Sequence, residues 1–96
     1  MKTALQIIQQ QIAELEAILK QAEIDLNTVA GSERIAKWKK QTSVLLGQVD
    51  SKEAQRFSAL TPGSSFTNDM LEELNNEAEP YRDFLTALAG QIKKQT

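Results

Sequence analysis

Residues 5–29 read LQIIQQQIAELEAILKQAEIDLNTV, and the placing of their apolar side chains decides the fold. Leu5, Ile8, Ile12, Leu15, Leu19, Ala22, Leu26 and Val29 recur three and four residues apart, which is the spacing of one stripe along an α-helix. In heptad terms Leu5, Ile12, Leu19 and Leu26 take the a positions, and Ile8, Leu15, Ala22 and Val29 the d positions. The helix predicted here is about 40 Å long at 1.5 Å per residue. It ends at Gly31, a residue free to adopt the left-handed conformation that closes helices. A helix cannot bury its own stripe, so this one requires partners. The flanking e and g positions are Gln9, Gln11, Glu16, Ile18, Glu23 and Asp25, which include acids but no base, so two copies of this helix alone gain no charge attraction.

A basic neighbour follows at once. Gly31-Ser32-Glu33 reads as a stop, an N-cap and an acidic first turn, so a second helix is predicted from about Glu33. Its stripe is Ile35, Trp38, Thr42, Leu45 and Val49, widened by Leu46, and the short connection predicts an antiparallel pair. This arm is expected to break near Gly47, with Asp50 and Glu53 forming a capping box for a short helix from Ser51 to Ala59 that buries Ala54 and Phe57. Thr61-Pro62-Gly63-Ser64-Ser65 carries turn chemistry and ends it. The last arm opens at a cap among Ser65, Thr67 and Asn68. Its stripe is Leu71, Leu74, Ala78, Tyr81, Leu85, Leu88 and Ile92. The three-four phase runs through Pro80 without a shift, which predicts one helix with a kink there. The expectation is an all-α, antiparallel three-helix bundle of up-down-up order, one domain over residues 1–96.

Charge divides the same way. Residues 1–31 set Lys2 and Lys20 against Glu14, Glu16, Glu23 and Asp25. Residues 32–60 hold Arg34, Lys37, Lys39, Lys40, Lys52 and Arg56 against Glu33, Asp50 and Glu53. Residues 61–96 hold Arg82, Lys93 and Lys94 against Asp69, Glu72, Glu73, Glu77, Glu79 and Asp83. A basic middle arm between two acidic ones agrees with the bundle.

The chain has no Cys and no His, which excludes disulfides, thiolate and imidazole metal sites, and every mechanism that uses those side chains. No stretch approaches the roughly 20 apolar residues of a membrane span, and a cytoplasmic protein is expected. Glu73–Glu77 and Asp69–Glu73 stand one turn apart and could offer oxygen ligands to a hard cation, but charge runs of this kind read as solvated surface. Ser64 and Ser65 have no base arranged beside them, so no enzyme and no cofactor are predicted. Arg34, Lys37 and Lys40 around Trp38 offer a small basic patch for nucleic acid, against an acidic overall pI.

Within the second arm, Trp38-Lys39-Lys40-Gln41-Thr42, Leu45-Leu46-Gly47, Asp50-Ser51 and Phe57 stand in an order that resembles the N-terminal helical regions of bacterial predicted nucleotide-binding proteins with a TIR-like domain, and of related phage-defence proteins. There a Trp, a Thr, a Leu, a Gly-Asp-Ser-like break and a Phe recur, and a helix such as 81–92 leads towards the effector domain. The resemblance implies an accessory helical domain or a shortened product, with any nucleotide chemistry elsewhere.

The function expected is therefore a non-catalytic protein-interaction or oligomerisation module, with a nucleic-acid-binding or regulatory adaptor using the second helix as the alternative. Ile7, Ile18 and Ile24 exceed what one stripe needs and are expected to join two copies in a symmetric dimer. Phe66, beside the Pro-Gly loop, and Phe84, beside the last stripe, are expected to add an apolar patch.

Overall fold

The computed structural model describes residues 3–63 and 67–95. It contains four helices, α1 (Ala4–Asp25), α2 (Thr28–Val49), α3 (Ser51–Ser58) and α4 (Met70–Gln95), with no strand among the described residues. α1 begins at Thr3 through a capping box. The Thr3 hydroxyl accepts from the Gln6 amide at 3.1 Å, and the Gln6 side chain accepts from the Thr3 amide at 2.9 Å.

α1 stops six residues before Gly31, because Leu26 takes the left-handed conformation (φ 52°, ψ 37°) and Asn27 caps the next helix by accepting from the Ala30 amide at 3.1 Å. A leucine in that conformation costs about 1–2 kcal/mol, since its Cβ crowds the following carbonyl. The seam consequently ends at Ala22. Leu26 and Val29 are exposed rather than continuing it. Gly31 is instead an internal residue of α2 and is buried there. A Cβ at this position would lie 2.8 Å from Leu74 Cδ2 and 3.0 Å from Ala22 Cβ, so the glycine allows close approach of three helices instead of ending one.

The second arm breaks at Asp50, and the short helix expected from Ser51 is α3 (Ser51–Ser58), with Phe57 buried. Gly47 is helical, and α2 continues to Val49. Asp50 makes the corner, its carboxylate accepting from the Lys52 and Glu53 amides at 3.0 and 3.3 Å. α4 runs without interruption through Pro80 and buries Leu74, Ala78, Tyr81, Leu85 and Ala89.

Register fixes the topology. Gln11 meets Trp38 and Thr42 while Ala22 meets Gly31, so α1 and α2 are antiparallel. Gly31 meets Leu74, Ser32 bonds Glu77, and Trp38 lies 6.2 Å from the Tyr81 ring, so α2 and α4 run in the same direction. Up-down-up order among three arms is therefore corrected. A fourth pass intervenes, made by α3 and the extended strap after it, with Ala54 beside Gly47, Phe57 beside Trp38, the Leu60 carbonyl at Lys39 and Gly63 at Glu77. This pass offers only Ala54, Phe57 and Leu60 as regularly spaced inward-facing apolar residues, too short a stripe to register as an arm.

The strap docks where Pro80 disturbs α4. Proline has no N–H to give the carbonyl of Asn76 four residues back, and Gly63 lies against that carbonyl so closely that a Cβ would sit 2.1 Å from its oxygen. The Gly63 amide donates to the neighbouring Glu77 carbonyl at 3.2 Å. In the interior, Trp38, Phe57 and Tyr81 form a triangle with centroids 5.8–6.2 Å apart, and Phe84 joins Phe57 at 5.6 Å. Such pairs add about 0.5–1.5 kcal/mol each beyond the area they bury. Gln11, a flanking position in the heptad reading, is buried because α1 packs against both α2 and α4 and needs a wider face than a two-position seam. Its side-chain amide donates to Thr42 Oγ1 at 2.8 Å, and its backbone carbonyl accepts from the Trp38 indole at 2.8 Å.

Candidate functional site

Three surface features could carry function. A groove of about 610 Å³ lies between α2, the strap and α4, with Ile35, Ala36, Val44 and Pro62 as apolar walls. Its polar groups mostly serve the fold. The Lys39 ammonium donates to the Leu60 carbonyl at 2.6 Å and lies 5.1 Å from the centre of the Tyr81 ring. The Ser32 hydroxyl donates to the Glu77 carboxylate at 3.0 Å. Burial raises the Tyr81 phenol above its ordinary range, and the Glu77 charge adds to the effect, so the ring is a neutral phenol at neutral pH. The Lys39 bond fastens the strap to α2, and the Lys39–Tyr81 and Ser32–Glu77 contacts tie α2 to α4.

A second hollow, of about 340 Å³, lies between α1 and α2 and contains Arg34 and Lys37 of the basic patch. Lys40 stands apart from them, on the rim of the larger groove. The hollow also takes in Glu14, whose Oε2 is buried without a hydrogen-bond partner. A carboxylate there weakens the pull on a phosphate backbone. The Trp38 indole, which a nucleic-acid reading needs as a stacking surface, is 3% exposed and committed to the Gln11 carbonyl.

The third feature is the end of the bundle where α1 turns into α2 and α4 begins. Ile24, Leu26, Val29 and Met70 are 67%, 79%, 66% and 62% exposed. Val29 and Met70 line one shallow hollow there together with Leu74. Around them stand the exposed acids Glu23, Asp25, Asp69, Glu72 and Glu73. The carboxylates considered as cation ligands have separate tasks. Asp69 caps α4 through the Leu71 and Glu72 amides at 2.9 and 3.3 Å, and Glu77 holds Ser32. Among the described residues no group of three or more ligating side chains comes together.

Of the isoleucines expected to join two copies, Ile7 is half-buried, Ile18 is half-buried against the core, and Ile24 is exposed at the α1–α2 end. Phe84 is half-buried against Phe57, with the Arg56 guanidinium 5.9 Å from its ring centre. Phe66 lies outside the described residues. The sequence reading passed over Leu26, Val29 and Met70, the first two because the unbroken stripe assigned them to the seam. The contrary signal was Asn27-Thr28, an N-cap directly followed by a helix, which competes with Gly31 as the place where the chain turns. No helix among the described residues is long and apolar enough to cross a membrane. No family model, no curated protein and no solved structure matches this chain.

Proposed function

We propose that this all-helical bundle is a non-catalytic interaction module that associates with copies of itself. The observation that carries this reading is the gathering of Ile24, Leu26, Val29 and Met70, each more than three-fifths exposed, at one end of the molecule. Single exposed apolar side chains are ordinary on any surface, but a gathering of four within a few turns, rimmed by charge, is the composition of a contact surface. Ile24, expected from its surplus to the seam to take part in self-association, is one of the four. The resemblance of residues 38–57 to defence-protein helical regions adds a setting, in which the module would be the accessory part of a bacterial defence-type protein.

Light scattering after size exclusion, run as a dilution series, tests the proposal. A mean mass above that of the monomer and rising with concentration is expected, and Ile24→Lys is expected to lower it without loss of helicity. A monomer mass at every concentration overturns the reading.

A further inference from the structure

The two ends of the bundle differ in shape and in charge. At one end, Leu26 is the single residue with positive φ among those described, and none of the four glycines takes that conformation. Stability of the turn alone favours glycine or asparagine at this position. The leucine is nevertheless 79% exposed, so the fold carries its strain without using its side chain. At the other end, a hollow of about 350 Å³ opens between the start of α1 and the ends of α2 and α4, with Ile8, Leu46, Val49, Leu88 and Ile92 in its lining.

Charge pairs these ends with each other and not with themselves. Around Leu26 the exposed groups are Glu23, Asp25, Asp69, Glu72 and Glu73, with Lys20 more than a turn away along α1. The exposed bases within two residues of its lining are Lys52, Lys93 and Lys94. The hollow also includes Asp50 and Glu53. Asp50 accepts from the first amides of α3, and Glu53 is paired with Arg56 at 3.1 Å. Two Leu26 ends brought together would oppose acid to acid, whereas a Leu26 end on a hollow end opposes acid to base.

We propose that copies of this chain join head to tail, the Leu26 turn of one seated in the hollow formed by α1, α2 and α4 of the next. The contact is heterologous, so it does not close on itself at two copies, and it extends along the 42 Å axis of the bundle. This rests on the self-association proposed above and specifies its geometry.

Two variants and their mixture test it. Leu26→Gly removes the inserted side chain and suits the backbone. Val49→Glu puts an acid into the lining of the hollow at a partly exposed position. Sedimentation velocity should show parent protein whose mean mass climbs with concentration and falls as salt is raised. Each variant alone should be a helical monomer. An equimolar mixture should give a dimer that grows no further, because the intact Leu26 of one variant meets the intact hollow of the other. If Val49→Glu fails to fold, the charge-reversed pair Lys93→Glu and Lys94→Glu replaces it. A parent that is monomeric throughout overturns self-association itself. A parent that associates overturns only the head-to-tail geometry if Leu26→Gly associates equally well, if the hollow variant associates like the parent, or if the two variants stay monomeric when mixed.

Discussion

Leu15, Trp38, Phe57, Tyr81 and Leu85, in the middle of the bundle, are at most 3% exposed, whereas Ile24, Leu26, Val29 and Met70, at the α1–α2 end, are at least 62% exposed. Both sets are apolar, and both sit on or beside the regular stripes of their helices. Depth of cover separates them. In the middle, α1 covers the α2–α4 pair from one side and α3 with its strap from the other, whereas at the end α1 stops at Asp25 and the chain turns without a covering segment among the described residues. Apolar periodicity thus says which side chains could be buried, and the position of the turn decides which ones are.

The contrast can be broken most forcefully in the middle. Phe57→Ala removes a fully buried ring that touches Trp38, Tyr81 and Phe84, and about 3–5 kcal/mol of stability should go with it. Urea denaturation measures the loss, and a change below about 1 kcal/mol would mean that α3 does not close the core. A smaller effect is expected from Thr42→Val, which leaves the buried Gln11 side-chain amide without its acceptor at a cost of about 1–3 kcal/mol. Adding Gln11→Met should restore most of it, because an apolar pair leaves no polar group unsatisfied, and failure of that rescue would show that Thr42 matters for another reason.

Tyr81 supplies a pH-dependent form of the same test. Its phenol is raised by burial and by Glu77, so the unfolded chain releases the proton at a lower pH than the folded one. Stability is then fully present below the unfolded value of about 10 and falls as pH rises from there through the folded value. Tyr81→Phe should flatten the alkaline limb, and an unchanged limb would place the phenol in water.

Much of the fold was legible. The apolar inward positions from Ile8 to Ala22, from Ile35 to Leu46 and from Leu74 to Leu85 follow from spacing, because a three-four repeat has one physical outcome when a partner stripe is available, whereas the buried Gln11 does not. The helix running through Pro80 was legible for the same reason. Two features were not. Gly31 offered a plausible stop, but glycine serves close packing as readily as chain reversal, and only the presence of Ala22 and Leu74 beside it tells the two apart. α3 itself was legible from Asp50, Ala54 and Phe57, but its return alongside α2 was not, because the strap that follows is fastened by backbone and polar contacts, from Lys39 to the Leu60 carbonyl and from Gly63 to the Glu77 carbonyl, which leave no periodic trace. For the candidate site, Ile24 was readable as surplus to the seam. Leu26 and Val29 were not, because their exposure depends on where α1 ends.

The smallest effect on stability tests the most. Leu26→Gly relieves a left-handed leucine but enlarges the freedom of the unfolded chain, so stability should stay level or rise by up to about 1 kcal/mol. Sedimentation equilibrium of this variant beside the parent, with both unfolded in urea in parallel, is the most direct measurement of the claim that the α1–α2 end exists for assembly. The account predicts a variant at least as stable as the parent whose mass stays at the monomer value where the parent's mass rises. A variant that associates as the parent does would contradict it.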